Sequence, residues 1–413
     1  MYGGQEPSYL AWADTHYFGG ISRFYVKMAA AWNRGEPYTD LLYPPGYVIV
    51  LATMSRVAGG EPEQLRRAQA AVDSVTVAGV YVLAVVAGAS APWALAAAAV
   101  YAVLPLWAAG STFLLAESIG VPLLVWELVM IVSAARTRSG LMAALAGVWL
   151  GFGVLVRPDF LLFACPAVIV LLIGRPMSRT MQVLAFVVAF SAVIGAWGWH
   201  NRRAHGVWVF TSTGGGGALW EGLGETPNDF GYAVDDSAAH RLMQTHGYAW
   251  GSADGNRFMT REFLKGWRDH PLFALRLVGL RARRILFSSD RLQPLFFPRA
   301  RLALDALGFA MLALAVWIRR RDPMSVALLV ILPVYALASI GLVHYEPRYV
   351  RYVPVAYILA SAVIASAIAS FGLRRSTATV GVVTLLVTLM ACLYTTKELV
   401  EIRAAARSGI TQP

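Results

Sequence analysis

The sequence predicts an all-α polytopic membrane protein with about ten transmembrane helices. Of its 413 residues, 57% are hydrophobic and only 14% are charged, and the mean hydropathy is +0.56. This is more apolar material than the core of one soluble domain requires. The apolar residues form uninterrupted blocks of roughly 20 residues, the length that a helix needs to cross a bilayer. Because the blocks do not alternate with a period of two, they argue against an outer-membrane barrel.

The predicted spans define the organisation of the chain. They cover residues 68–86, 92–109, 118–134, 141–156, 160–173, 181–199, 302–318, 323–343, 350–371 and 379–395. They divide the chain into a first loop (1–65), a helical block (66–199), a long loop (200–301), a second helical block (302–395) and a short C-terminal tail (396–413).

Clusters of arginine in the short loops predict the orientation. These clusters are Arg136 with Arg138, Arg175 with Arg179, Arg319 with Arg320 and Arg321, and Arg374 with Arg375. The positive-inside rule places all of them in the cytoplasm, so residues 1–65 and 200–301 face outside. We therefore expect an integral membrane protein whose working surface faces away from the cytoplasm. The net charge of +11 is then explained by membrane orientation, and nucleic acid is not an expected partner.

The predicted orientation starts the chain on the outside. No signal peptide or apolar segment precedes the first loop to carry Met1 across the membrane. We therefore expect that a first transmembrane helix is missing from this sequence.

The first loop contains two short helical patterns. Apolar residues recur at helical spacing between Gly20 and Arg34, with Arg23 and Lys27 on the other side, which indicates a helix lying in the membrane interface. The apolar run after Pro45 is too short to span and is expected to be re-entrant or interfacial. Such a loop is suited to presenting a polar group to a lipid head group, although it could also simply pack on the helix bundle.

These residues resemble the first periplasmic loop of the lipid-dependent GT-C glycosyltransferases. The closest branch is glycosyltransferase family 39, with the protein O-mannosyltransferases and aminoarabinose transferases. In the loop, the resemblance is carried by Asp14, His16, Tyr17, Gly35 and the run Tyr43-Pro44-Pro45-Gly46-Tyr47. Further landmarks follow in the family's order: Ala116-Glu117-Ser118, Arg157-Pro158, Trp199-His200-Asn201-Arg202, residues 211–220, residues 228–231, His270-Pro271 and residues 344–349.

The resemblance implies a GT-C-like bundle that transfers a sugar from a polyprenyl-phosphate donor with inversion. The acceptor would be a protein, a glycan or a lipid on the outer face. The acceptor hydroxyl must lose its proton during attack, and a positioned carboxylate can assist that step. Asp14 is the candidate catalytic base because it lies in the loop where the family's catalytic aspartate resides. The alternative is an ordinary aspartate in a solvated turn.

The leaving phosphate requires fixed cationic donors. Arg348 is the strongest candidate, with His344 and Tyr345 beside it, because the guanidinium fork matches phosphate oxygens. The alternative is an arginine that reaches lipid head groups from a helix end. Arg157 is a similar candidate, but it could instead form an internal ion pair with Asp159 or Glu117.

Glu117, Arg23 and Tyr43 complete the predicted substrate-binding set. Glu117 could instead be favoured simply by its place at a helix N-terminus, and Arg23 could be an ordinary surface residue. No metal site is predicted, because the histidines are scattered. Thr15 follows Asp14 where the protein mannosyltransferases commonly have a second acid, so the motif does not support a divalent metal. No other cofactor is expected.

The long outer loop contains two further features. Residues 211–220 (TSTGGGGALW) lack the ending of a nucleotide-binding P-loop, and we expect a flexible loop over a sugar cavity or a plain turn cluster. Residues 271–294 form an amphipathic stretch with Arg276, Arg281, Arg283 and Arg284. This stretch is expected to bind membrane lipids or the phosphate region of a lipid substrate.

The sequence leaves three other interpretations open. A transporter or flippase of lipid-linked saccharides would also be polytopic, but it would show paired repeats and broken helices, and no repeat is evident. An O-antigen ligase or polymerase would face outward and would use a diphosphate-linked oligosaccharide. The third is a degenerate, inactive chain.

Overall fold

The structure is a computed structural model, and its described part contains helices and no β-strand. It describes residues 21–103, 110–111, 113–173, 179–287, 298–345 and 347–370. Side chains are described for all of these except 286–287, 298–305 and 347–348.

The described residues between 21 and 205 form nine α-helices and one 3₁₀ helix. The α-helices are α1 Ile21–Asn33, α2 Gly46–Ala58, α3 Pro62–Ser74, α4 Thr76–Val86, α5 Ala91–Val103, α6 Ala116–Thr137, α7 Gly140–Val156, α8 Ala164–Ile173 and α9 Arg179–His205. The 3₁₀ helix Pro158–Phe163 joins α7 to α8.

The rest of the described chain continues with seven α-helices. They are α10 Gly215–Leu223, α11 Asp236–Thr245, α12 Ala253–Asp269, α13 Pro271–Phe287, α14 Pro298–Arg319, α15 Pro323–Leu342 and α16 Val353–Ser370. A second 3₁₀ helix, Pro347–Val350, precedes α16.

Five helical segments in the described chain are long and apolar enough to cross a membrane. They are Pro62–Val86, Ala116–Thr137, Arg179–His205, Pro323–Leu342 and Val353–Ser370. Four further predicted spans coincide with the shorter apolar helices Ala91–Val103, Gly140–Val156, Pro158–Ile173 and Ala306–Arg319. The span predicted at 379–395 lies outside the described residues. The predicted class, an all-α polytopic membrane protein, is confirmed.

Small residues allow α7 and α9 to pack closely. A side chain on Gly147 would meet the backbone of Phe186, and one on Gly151 would lie 2.8 Å from Cβ of Val193. In a bilayer, lipid tails are as apolar as leucine, so helix association relies on this kind of close approach. The spacing of four residues between the glycines places both on one face of α7.

The predicted cytoplasmic arginines meet at one end of the bundle. Nη2 of Arg136 donates to the carbonyl oxygen of Val86 at 3.0 Å. Nε of Arg319 donates to the neighbouring carbonyl oxygen of Ala87 at 3.1 Å. Both arginines therefore bind the C-terminal end of α4, although they lie far apart in the sequence. The start of α6 and the end of α7 lie at the opposite end of the bundle.

The first loop forms the two short helices that the sequence predicts. On α1, Arg23 and Lys27 are exposed while Tyr25 and Ala29 are buried, as the helical spacing requires. Helix α2 has only 13 residues and starts at Gly46, directly against the end of α7.

The glycine-rich segment differs from the prediction. The expected flexible loop is wrong for Gly215 to Trp220, which belong to helix α10. A side chain on Gly216 would meet the backbone of Asn256 in α12. Trp220 is buried in a small apolar cluster with residues of α11 and α12. The glycines therefore allow close packing of the helices. Local sequence rules instead interpret a run of glycines as a sign of flexibility.

We predict that Gly46→Ala destabilises the protein, because the new methyl group would meet the backbone of Leu155 and Val156. Backbone atoms cannot move aside as a flexible side chain can, so we expect a loss of about 1–3 kcal/mol. Thermal unfolding of the purified protein in detergent would measure it. Gly60→Ala is the matched control, because no atom lies within 4 Å of its added methyl group. Equal melting temperatures for the two variants would contradict the close contact.

Candidate functional site

A buried ion pair lies where α7 ends. Arg157 follows the last residue of α7 in an extended conformation, and its N–H donates to the carbonyl oxygen of Gly153 at 2.7 Å. Nε and Nη2 of Arg157 donate to Oδ1 and Oδ2 of Asp159 at 3.0 and 3.1 Å. This two-pronged arrangement holds the guanidinium plane in a fixed orientation. Arg157 is 9% exposed, so the pair is largely removed from water.

Aromatic residues from the second helical block surround this ion pair. The hydroxyl of Tyr335 in α15 donates to Oδ2 of Asp159 at 3.0 Å. The guanidinium carbon of Arg157 lies 5.0 Å from the ring centre of Tyr349, within range of a cation–π interaction. Burial lowers the pKa of the Arg157 guanidinium, but the charges of Asp159 and Glu117 outweigh burial and raise it. Arg157 therefore remains charged.

Glu117 lies at the start of α6, in a segment fixed by hydrogen bonds. The hydroxyl of Ser118 donates to the carbonyl oxygens of Gly110 and Phe113 at 2.8 and 2.7 Å. Glu117 lines a small cavity of about 10 Å³ together with Asp73 of α3 and Arg351. A cavity of this size holds about one water molecule. Charged groups from three separate parts of the chain thus converge beside α6.

A buried glutamine anchors the same region to the first loop. Nε2 of Gln69 donates to the carbonyl oxygens of Ser111 and Phe113 at 2.6 and 2.7 Å. Its Oε1 accepts a hydrogen bond of 2.7 Å from the hydroxyl of Tyr47 in α2. Since every polar group buried among apolar helices needs a partner, this amide fixes α2 relative to the start of α6.

An aromatic cluster connects the first loop to the charged groups. The ring of Tyr25 lies 5.7 Å from the ring of Tyr43 and 4.8 Å from that of Tyr47. Burial raises the pKa of Tyr25, and the charge of Glu117 raises it further. The charge of Glu117 therefore influences the ionisation of the Tyr25 hydroxyl.

A second buried ion pair joins the segment 206–287 to the helix bundle. Arg281 of α13 is 1% exposed, and its Nε donates to Oε2 of Glu225 at 3.0 Å. Its Nη1 donates to the carbonyl oxygen of Gly341 at the end of α15 at 2.8 Å. Oε1 of Glu225 accepts a hydrogen bond from the N–H of Tyr345. Glu225 and Arg281 together therefore hold the segment that leads into the Arg348 turn.

The buried position of Arg281 corrects one expectation from the sequence. Arg281 was expected to bind lipid head groups or a lipid substrate with the other arginines of its amphipathic stretch. Its guanidinium instead lies inside the protein on Glu225 and backbone carbonyls. Arg276 and Arg283 of the same helix are exposed, so only these keep the predicted surface position.

The structure brings most of the predicted site residues together. Tyr43 contacts the ring of Tyr25, and the charges of Glu117 and Arg157 act on the pKa of that tyrosine in opposite directions. His344 and Tyr345 adjoin it, because the His344 ring lies 5.4 Å from the ring of Tyr349, which also contacts Arg157.

Of the other three predicted residues, one stands apart from this cluster, and two have side chains that the structure does not describe. Arg23 is exposed on α1, two positions from the buried Tyr25 and hence on the opposite face of the helix. Asp14 lies outside the described residues, and so does the side chain of Arg348. For Arg157, the structure contains the ion pair with Asp159 that was the predicted alternative to a phosphate contact.

Sequence reasoning missed several members of the cluster. They are Gln69, Asp73, Tyr335 and Arg351. A signal was available for Asp73, because an ionisable residue inside a predicted span is a functional hypothesis by default. Tyr335 carried no such signal, since a tyrosine in an apolar helix looks like a core residue. In the described chain, no group of three or more His, Cys, Asp or Glu residues is arranged to hold a metal ion.

Comparison with protein families supports the resemblance seen in the motifs. A family model described as dolichyl-phosphate-mannose-protein mannosyltransferase matches residues 43–199. The matched segment is less than half of the chain, and it includes Tyr43, Glu117 and Arg157. A search of curated proteins found no match.

Comparison with solved structures identifies the fold. The crystal structure of the Archaeoglobus fulgidus oligosaccharyltransferase in the apo form aligns with 93% of this chain at a TM-score of 0.56 and 14% sequence identity. The alignment covers 52% of that protein, so this chain spans about half of its length. At this identity the likeness shows the fold alone. The chain therefore shares its fold with this oligosaccharyltransferase over the aligned part.

We predict that Arg281→Ala strongly destabilises the protein, because it removes the main cation from a buried carboxylate. Breaking a buried ion pair costs about 3–5 kcal/mol. Thermal unfolding would show the loss, and limited proteolysis within residues 206–287 would show whether the outer segment detaches.

Two control variants separate the ion pair from general effects of mutation. Arg276→Ala removes an exposed arginine of the same helix and should change stability by about 0.5 kcal/mol or less. The double variant Arg281→Met with Glu225→Gln should recover part of the loss, because no buried charge is left unpaired. If Arg281→Ala were as mild as Arg276→Ala, Arg281 would not be the anchor of this segment.

We also predict that Glu221 makes stability depend on pH. Burial, followed by the charge of Asp236, raises the pKa of Glu221 from 4.5 to about 7, while His344 acts in the opposite direction. The folded state thus binds this proton more tightly than the unfolded state. The contribution of protonated Glu221 to the free energy of unfolding is complete below pH 4.5, and it decreases as the pH rises towards 7.

Melting temperatures measured between pH 4.5 and 7.5 would test this dependence. The wild-type protein should lose stability over this range relative to Glu221→Gln, whose amide does not titrate. Asp229→Asn, which changes an exposed carboxylate of the same loop, serves as the control and should follow the wild type. Parallel curves for wild type and Glu221→Gln would show that Glu221 does not titrate there.

Proposed function

We propose that this chain is an integral membrane glycosyltransferase. It transfers a sugar from a polyprenyl-phosphate donor to an acceptor on the outer face of the bacterial plasma membrane, with inversion at the anomeric carbon. The observation that carries the proposal is the convergence of Glu117, Arg157 and the first loop at one end of the bundle. The family description, which refers to a dolichyl-phosphate-linked mannose donor, supports this donor class.

The location of the charged cluster supports a substrate that is itself anchored in the membrane. Arg136 and Arg319 bind the C-terminal end of α4, and the Glu117 and Arg157 cluster lies at the opposite end. If the arginine-rich end is cytoplasmic, the cluster lies at the outer membrane surface. A polyprenyl phosphate places its charged group at that depth, while its isoprenoid chain stays among the lipids.

The reaction needs a base and a group that stabilises the leaving phosphate. As the acceptor hydroxyl attacks the anomeric carbon, Asp14 takes its proton, and the bond between that carbon and the phosphate oxygen breaks. The phosphate leaves with the electron pair and gains negative charge. Arg348 would stabilise this charge, with Arg351 following on the same turn, because guanidinium groups match phosphate oxygens in shape and charge.

Arg157 contributes a fixed positive charge to this arrangement. Its orientation is set by Asp159, so it pays no reorganisation cost when charge develops nearby, which is the main advantage of a preorganised site. His344 and Tyr345 lie on the segment held by Glu225 and Arg281, next to the Arg348 turn. The first loop brings Tyr43 against Tyr25.

Incubation of the purified protein with polyprenyl-phosphate sugars tests the proposal directly. Release of free polyprenyl phosphate, measured by mass spectrometry, should depend on the protein and on an acceptor. Asp14→Asn should abolish this release while the donor still binds, because the amide cannot accept the proton. If donors moved across proteoliposomes without chemical change, the chain would be a transporter. Unchanged turnover in Asp14→Asn would exclude Asp14 as the base.

Arg157→Lys gives a second and more local test. The lysine keeps the charge but loses the two-pronged contact with Asp159, so we expect turnover to fall at least about tenfold while the protein stays folded. Arg34→Lys is a matched control, because Arg34 pairs with Glu36 at the same spacing of two residues but is exposed. A similar small effect of both substitutions would show that the fixed guanidinium does not contribute to the reaction.

A further inference from the structure

An open cleft lies between the first loop and α11, beside the charged cluster. It has a volume of about 350 Å³, which lies within the range of small-molecule sites. Its lining combines aromatic rings with hydrogen-bonding side chains: Tyr43, Asp236, His240, Arg241, Gln244 and Trp250. Neither the predicted catalytic step nor the ion pairs described above account for this set of residues.

Hydrogen bonds between its two walls show that the cleft is preformed. The N–H of Thr213 donates to the carbonyl oxygen of Leu41 in the first loop at 2.8 Å. The hydroxyl of the same threonine donates to the carbonyl oxygen of Gly251, next to Trp250, at 2.6 Å. Thr213 is buried. One residue therefore holds the Tyr43 wall and the Trp250 wall at a set distance.

The aromatic walls are themselves held in place. The N–H of Tyr43 donates to Oδ1 of Asp40 at 2.8 Å, and the carbonyl oxygen of Tyr43 accepts a hydrogen bond of 2.7 Å from the hydroxyl of Tyr38. On the other wall, the Trp250 ring lies 5.1 Å from the ring of His240. A side chain on Gly217 of α10 would lie 3.5 Å from Cη2 of Trp250, so the indole rests on the helix at a glycine.

The chemistry of the lining favours a neutral ligand with many hydroxyl groups. Asp236 accepts hydrogen bonds, Arg241 donates them, and Gln244 does both. The formal charges of Asp236 and Arg241 cancel, and Arg241 also lies 3.5 Å from Asp235. The cleft therefore lacks the excess positive charge that a phosphate requires. Aromatic rings offer apolar faces against which the C–H face of a sugar ring can pack.

We propose that this cleft binds a neutral saccharide unit of a substrate, between Tyr43 and Trp250, with Asp236, Arg241 and Gln244 binding its hydroxyl groups. This inference rests on the proposed glycosyl transfer and assigns a sugar subsite to it. The ring of Tyr43 lies 5.7 Å from that of Tyr25, which in turn responds to the charges of Glu117 and Arg157. A sugar in the cleft would thus be adjacent to the charged cluster.

Equilibrium binding of free saccharides by the full chain in nanodiscs tests the site without any reaction. The probes are neutral mono- and disaccharides of mannose, glucose and galactose, followed by saturation-transfer NMR. We expect Trp250→Ala to weaken binding of the best probe at least about tenfold. Trp208→Ala, an exposed tryptophan that stacks on Phe210 outside the cleft, should bind as the wild type does.

A second variant keeps the test decisive if Trp250→Ala fails to fold. Gln244→Ala removes an exposed side chain of the cleft and should weaken binding about threefold to tenfold without a change in melting temperature. The proposal would be overturned if Gln244→Ala and a folded Trp250→Ala variant both bound the saccharide with wild-type affinity. It would also be overturned if the wild-type protein bound no saccharide.

Kinetics distinguish the source of the saccharide and separate this proposal from the proposed function. With the donor saturating, an increase of KM for a glycan acceptor in Gln244→Ala identifies the acceptor as the source of the bound saccharide. With the acceptor saturating, an increase of KM for the donor identifies the transferred sugar. If the protein bound saccharides but cleaved no donor, the proposed sugar subsite would stand and the proposed glycosyl transfer would be rejected. Donor cleavage without any effect of the cleft variants would reject the subsite alone.

Discussion

The ion pair between Arg157 and Asp159 joins the two helical blocks of the bundle. It lies where α7 passes into the 3₁₀ helix, and it takes a hydrogen bond from Tyr335 of α15 and a ring contact from Tyr349 before α16. In apolar surroundings a charge must be paired, and removing one partner costs far more than the pair itself contributes. The pair therefore fixes the position of helices that lie more than 170 residues apart.

The first loop and the long loop depend on this ion pair and attach to the helix bundle by different means. The first loop uses a close backbone contact, since α2 begins at Gly46 where only a glycine fits against the end of α7. The long loop uses charge, through Arg281 and Glu225, and binds the carbonyl oxygen of Gly341 and the N–H of Tyr345. Both attachments lie next to the Arg157 cluster, so each loop places its own residues there with little freedom of position.

The sequence predicted what depends on composition and on charges at helix ends. Apolar blocks indicated the spans, and the loop arginines indicated which ends lie together, as Arg136 and Arg319 confirm. Glu117 and Arg157 were found through the family resemblance, and Arg157 also because its charge lies between two apolar runs. Pairings across the fold could not be predicted: Glu225 and Arg281 are 56 residues apart, and either could have faced water. The glycines of α10 were misinterpreted because local rules do not include the neighbouring helix.

The positions of charged and neutral surfaces suggest how one substrate would be divided between two regions. A lipid-linked sugar is charged at its phosphate and neutral at its hydroxyl groups. Around Arg157 and Arg351 the protein offers two guanidinium groups with carboxylates beside them, whereas the cleft at Trp250 offers aromatic rings with Asp236 and Arg241. Tyr43 and Tyr25 lie between the two regions. Since the bond that breaks joins the phosphate to the sugar, the reacting carbon would lie near these tyrosines. The first loop, which also carries Asp14, is the segment that reaches this point.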